Sequence, residues 1–178
     1  MDETEEGLRS LQDLLDRSDA NATRHLREVI TPARGLTAQQ VCVRPTGLRL
    51  LALATVTSHG RPLIGPVDGV FYRGAFHFGS SPDSVPIRHV RCRAHVSATH
   101  VPAQELSVTV HGRAAPLDVR AEETAGLRQG LLDLYTPLYG ATWEDFLDAN
   151  VRVFVDADQS RDALREQAPQ LRCSTATR

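Results

Sequence analysis

Between Leu48 and Pro116 the chain passes through a series of short stretches rich in aliphatic and β-branched residues, each closed by a turn signal. This series lacks the regular strand–helix–strand alternation of a parallel sheet, so it restricts the fold to antiparallel pairing and argues for a barrel within an α+β domain. Leu48–Ser58 reads as the first strand and Ser58-His59-Gly60 as its turn. Pro62–Phe71 follows, interrupted by Gly65, Pro66 and Gly69, and its internal proline predicts an edge or a bulge. Arg73-Gly74 makes the next turn, Ala75–Gly79 is short and alternating, and Ser80–Ser84 is a polar loop leading to one or two helical turns over Val85–Arg93. His95–Val101 and Glu105–Pro116 are two more strands. In the second, Leu106, Val108, Val110 and Gly112 alternate with Ser107, Thr109 and His111. Val151–Val155 is the last strand. A Rossmann fold is disfavoured, since no G-x-G-x-x-G occurs.

Helices flank this centre. Leu8, Leu11, Leu14 and Leu15 recur at helical spacing and predict an amphipathic helix ending near Arg17, with a break over Ser18–Thr23. Leu26, Val29 and Ile30 mark a short second helix closed by Pro32 and Gly35, and Thr37 with Gln40 reads as a capping box on a third. Glu122–Tyr135 carries an apolar stripe of Leu127, Leu131, Leu134 and Tyr135. A short helix over Trp143–Leu147 and a polar one over Arg161–Gln167 complete the reading, with a loose tail from Pro169.

Composition removes several classes of chemistry. All 20 basic residues are Arg, so a Schiff-base lysine, a Walker-type phosphate lysine and a lysine base are excluded. The net charge of −2 gives no global attraction to nucleic acid, and the run from Arg88 to Arg93 is too short to change that. The longest apolar stretch, Leu50–Val56, is far below the ~18 residues of a membrane span. Cys42, Cys92 and Cys173 suggest neither a disulfide framework nor a zinc site. The acidic Met1–Gly7 lacks the pattern of a signal peptide, and the expected compartment is the cytoplasm.

The most informative stretch is Phe76–Val90, FHFGSSPDSVPIRHV. A strand ends at Gly79, a Ser-rich loop follows, and a helix starts near Ser84. Free amides at a helix start, hydroxyls of Ser80, Ser81 and Ser84, and the Arg88 guanidinium one turn in make an anion site. The plainer reading of the same residues is a helix cap at Ser84 with a solvated Arg88. His59 reads as an exposed turn residue, and His77 and His111 as structural. His89 is placed to face a phosphate or a second chain. Tyr139 and Trp143 read either as core or as cover, from the partner subunit, over a cofactor.

Through these residues the chain resembles the pyridoxamine-phosphate-oxidase-like family, the flavin-binding split barrels. Four blocks carry the resemblance: LQDLLDRSDANATRHL (Leu11–Leu26), similar to an actinobacterial branch; LATVTSHGRPLIGPVDGV (Leu53–Val70); FGSSPDSVPIRHVRCRAHV (Phe78–Val96); and ELSVTVHGRA (Glu105–Ala114). It implies a six-stranded antiparallel split β-barrel with N-terminal and peripheral helices. The N-terminal helical segment would span 1–45, the cofactor-binding barrel 46–157, and a terminal helix and tail 158–178. It also implies a homodimer with cofactor sites between subunits. Gly79, Ser80 and Ser81 would then meet the flavin phosphate and ring, and Ser84 and Arg88 the phosphate. Pro66, Val67 and Asp68 would run beside the isoalloxazine ring, with Gly65 and Gly69 permitting close approach. Pro86 stands where the family carries a Lys, a departure that removes a charge and an amide at the helix start. Gly65 and Val70 stand where classical oxidases of the family have basic residues, so pyridoxamine phosphate itself is not the expected substrate. The implied cofactor is FMN, with a deazaflavin of the F-420 type or, further off, haem as alternatives. The implied activity is oxidation or reduction of a small conjugated or aromatic molecule; the alternative is a non-catalytic or cofactor-free split-barrel dimer.

Overall fold

The computed structural model describes residues 3–29, 35–43, 48–103 and 106–157. Helix α1 (Glu5–Ala20) opens on Thr4, whose Oγ1 accepts the Gly7 N–H at 3.0 Å, and it buries Leu11, Leu14 and Leu15. It continues three residues past the expected stop at Arg17: Ser18 is buried within it, and the Asn21 N–H closes onto the Arg17 carbonyl. Serine and aspartate are weak helix formers, and tertiary burial overrides them here. Helix α2 spans Arg24–Val29 and α3 Ala38–Val43. The capping box on α3 is complete: Gln40 N–H donates to Thr37 Oγ1 (3.3 Å) and Thr37 N–H to Gln40 Oε1 (2.9 Å). Gln12 Oε1 accepts the Ala38 N–H at 2.9 Å and ties α3 to α1.

Strands β1 (Arg49–Val56), β2 (Pro62–Tyr72) and β3 (Ala75–Ser80) follow, then α4 (Val85–Cys92), β4 (His95–Ala103) and β5 (Leu106–Leu117). A 3₁₀ turn at Glu122–Thr124 leads into α5 (Ala125–Tyr139), and α6 (Trp143–Ala149) precedes β6 (Val151–Ala157). Every pairing is antiparallel, and the strands close in the order β1-β2-β3-β6-β5-β4. The expected α+β class with an antiparallel curled sheet is what the structure has. The β2–β3 hairpin turns through Arg73 (φ 47°) and Gly74 (φ 76°), two positive values that match the twist of the flanking strands. Helix α5 runs beyond its expected end, through Pro137 to Tyr139; Pro137 lies in its last turn. The expected helix at Arg161–Gln167 and the tail lie outside the described residues.

Two apolar clusters lie on opposite sides of the sheet. One joins Leu51, Leu53, Phe71, Phe76, Phe78, Val108 and Val110 to Leu11, Leu14 and Val41 of the N-terminal helices and to Ile87 and Val90 of α4. The other joins Val70 and Tyr72 to Leu127, Leu131 and Tyr135 of α5 and Trp143 and Leu147 of α6. The far half of β2 and β3 is therefore covered on both faces, whereas Ile64, Pro66 and Asp68 in the near half of β2 are exposed. Among the described residues, no helix is long and apolar enough to cross a membrane.

Candidate functional site

The β2–β3 ladder ends at Gly69↔Phe78. Beyond that pair the strands keep different partners. Pro66, Val67 and Asp68 stay registered with Ala52, Leu51 and Leu50 of β1, while Gly79 and Ser80 stay registered with β6. The barrel wall splits here, leaving facing strand edges whose alternate amides and carbonyls lack a neighbouring strand. Pro66 occurs on this half of β2, which pairs on one side only, so the predicted edge character is met at the proline.

A cavity of about 590 Å³ opens at the split, lined by Pro66, Val67, Asp68, Gly79 and Ser80. Its opposite wall comes from the α5–α6 hairpin: Tyr135, Tyr139, Thr142, Trp143 and Phe146. The volume falls in the range of ligand pockets. Five of the eight residues singled out in the sequence thus line one cavity. The other three, Ser81, Ser84 and Arg88, lie on the loop and helix that follow Ser80 and do not line it.

At the start of α4, Ser84 takes the extended backbone conformation of an N-cap, but its hydroxyl bonds no helix amide. Ser84 Oγ is buried with no hydrogen-bond partner, and Pro86 sits in the first turn. The capping half of the plainer reading therefore fails at the side chain. Arg88 is exposed and makes no ion pair among the described residues. Arg91 and Arg93 are held by the carbonyls of Pro82 (3.1 Å) and Ser58 (3.0 Å).

The glycines divide differently from expectation. Gly65 faces open space, whereas a Cβ on Gly69 would lie 2.5 Å from Leu51 Cδ1 and 2.8 Å from the His77 carbonyl. Gly69 serves the close packing of β1 and β3 where the wall splits. His77 Nε2 lies 3.1 Å from the Tyr72 carbonyl and His111 Nδ1 2.7 Å from Ser97 Oγ, both structural placements, and His59 is exposed in its turn. His89 Nδ1 lies 2.9 Å from Thr55 Oγ1 on β1, which gives this residue an internal partner. Burial, then the charge of Glu3, pushes the Cys42 thiol up to about 12, so it is no nucleophile at neutral pH.

The aromatic wall was only half visible beforehand. Trp143 is core, as its plainer reading had it, and also lines the cavity. Its ring stacks on Tyr135 at 4.4 Å and 5°, and Tyr139 also stacks on Tyr135, at 6.0 Å and 26°. Tyr135 and Phe146 were missed; the available signal was the aromatic spacing across Tyr135–Phe146, which places four rings on two short helices. Arg128 fixes this hairpin, donating to Asp148 Oδ1 (2.6 Å) and Glu144 Oε1 (2.8 Å), while Arg120 pairs with Asp148 Oδ2 at 3.2 Å. The Arg128 hydrogen bond holds the Asp148 carboxyl below its usual 3.8. A depressed carboxylate contributes stability above its unfolded value and loses it as pH falls through the folded one. Asp148→Asn is therefore expected to flatten the acid limb of melting temperature against pH below 3.8, read by calorimetry.

No family model and no curated protein matches the chain. Solved structures do. The haem storage protein HutZ from Vibrio cholerae is 17% identical, with a TM-score of 0.53 over 67% of this chain and 86% of that one. An F420 reductase is 18% identical, with a TM-score of 0.50 over 72% and 96%. An FAD-binding protein from Mesorhizobium loti is 20% identical, with a TM-score of 0.50 over 70% and 91%. At these identities the likeness shows the fold alone: this chain shares with these three structures an antiparallel barrel flanked by helices.

Proposed function

We propose that the chain binds a flavin or deazaflavin at the split in the barrel wall and acts as an oxidoreductase of the pyridoxamine-phosphate-oxidase-like family. The observation that carries this reading is the cavity between the parted strands, continuous in sequence with a loop and helix start where the Ser84 hydroxyl is buried without a partner. These residues fit a phosphate-bearing planar cofactor. The strand edges at Pro66–Asp68 and Gly79–Ser80 would hold the ring, and Ser81, Ser84 and Arg88 its acidic tail. The ring supplies hydride transfer when bound. The chain's own groups position it, and the aromatic wall excludes water and leaves a flat face for a small conjugated or aromatic substrate. Among the described lining residues a haem, the group named for HutZ, would find only the phenols of Tyr135 and Tyr139 as axial ligands, and Tyr135 is buried in a ring stack.

The site would be completed by a second copy of the chain. Leu50 (64% exposed), Ile64 (73%) and Val101 (61%) lie on β1, β2 and β4, and Leu50 and Ile64 flank Ala52 and Pro66 on the outward side. A contiguous apolar face of this kind marks an association surface, and it adjoins Pro66 and Asp68 of the cavity. Titration with FMN and with a deazaflavin is expected to give a bound absorbance band near about 450 or 420 nm that bleaches with a nicotinamide donor. Sedimentation is expected to give twice the chain mass of 19.5 kDa. A colourless monomer that ignores both cofactors refutes the proposal. A coloured dimer that no donor reduces leaves a carrier in place of an enzyme.

A further inference from the structure

We propose that the aromatic side of this cavity selects an organic cation, a ring compound bearing a protonated amine or a quaternary ammonium group. This deepens the functional reading: it rests on the cavity being the binding site, and not on which cofactor enters it. Tyr139 and Phe146 line the cavity and are 59% and 56% exposed, so their rings are open to a ligand. Tyr139 is held flat by Tyr135, itself stacked on buried Trp143, so its π face has a fixed orientation without needing a ligand to order it. Fixed faces of this type attract cations through the negative ring quadrupole.

Charge points the same way. Among the described lining residues the acidic or basic side chains reduce to one, the carboxylate of Asp68, and no Arg is present. Asp145, beside Phe146 on α6, is exposed and makes no ion pair among the described residues. The nearest cation of the hairpin, Arg128, is already matched by Glu144 and Asp148. A carboxylate and exposed aromatic faces around one cavity favour a positive ligand and oppose an anionic one. Ser81, Ser84 and Arg88, the residues proposed for the cofactor's acidic tail, lie on the following loop and helix and do not line the cavity, so the tail and the cation have separate places.

Calorimetric titration of the full chain with benzyltrimethylammonium, benzyl alcohol and phenylacetate tests the inference. The cation is expected to bind about tenfold tighter than the alcohol, and phenylacetate weakest. Asp68→Asn should remove several-fold of that preference, and Phe146→Ala should weaken the cation with the fold intact, since the ring is exposed. Fluorescence of Trp143, the single Trp of the chain, should respond to the cation and so locate it. Phenylacetate binding as tightly as the cation, no probe binding, or an unchanged order in Asp68→Asn overturns the inference. A protein that binds FMN but shows no cation preference overturns this inference alone. One that shows the preference but takes up neither flavin nor deazaflavin overturns the cofactor reading alone.

Discussion

Replacing Arg88 by Gln is expected to weaken binding of FMN about ten- to hundredfold, the loss of one charge-assisted contact of about 1.5–3 kcal/mol. The melting temperature should stay put. The guanidinium is exposed and carries no ion pair among the described residues, and the backbone bond of Arg88 N to the Ser84 carbonyl (3.0 Å) survives the change. Riboflavin, which lacks the phosphate, supplies the control: its affinity should be the same in both proteins. The reciprocal change, Pro86→Lys, restores an amide and a charge in the first turn of α4 and should tighten FMN by about tenfold without affecting riboflavin. If Arg88→Gln lowers both ligands alike, the residue shapes the helix and does not grip a phosphate. If it lowers neither, the acidic tail lies elsewhere.

What the sequence revealed depended on how local each cause is. The Thr37–Gln40 box, the Arg73-Gly74 turn and the alternation of β5 are decided by residues a few positions apart, and the structure has each of them. The strand–loop–helix at Gly79–Arg88 was legible for the same reason. The extent of the split was not, because it is a matter of register. Pro66 announces an edge, but whether Asp68 pairs with β1 alone or also with β3 depends on strands far apart in sequence. Half of the aromatic wall, Tyr135 and Phe146, escaped for a related reason. A stripe of Leu127, Leu131 and Tyr135 at helical spacing announces a buried face, but whether the rings at its end finish in the core or at a cavity depends on where α6 folds back. That return is set by Arg128 reaching Glu144 and Asp148, contacts spanning 16 and 20 residues.

Gly69 is where the packing of the split can be tested most sharply. Gly69→Ala is expected to destabilise the fold by about 1–3 kcal/mol, the range for inserting a methyl group into a filled space. At roughly 2–4 °C per kcal/mol for a chain of this size, the loss is readily measured by calorimetry. The cause is specific. A Cβ at this position meets Leu51 Cδ1 at 2.5 Å, which a rotamer change can relieve, and the His77 carbonyl at 2.8 Å, which only a shift of strand β3 can relieve. Gly65→Ala is the matched control. Four residues away on the same strand, its Cβ would meet nothing within 4 Å, so the change should stay within about 0.5 kcal/mol of the parent. Because Gly69↔Phe78 is the last pair before β2 and β3 part, a shift there moves Asp68 relative to Gly79. The variant should therefore also bind the ring of riboflavin more weakly at temperatures where it remains folded. Equal stability of the two alanine variants would mean that β3 yields freely at His77, and that the split is not held by the packing around Gly69.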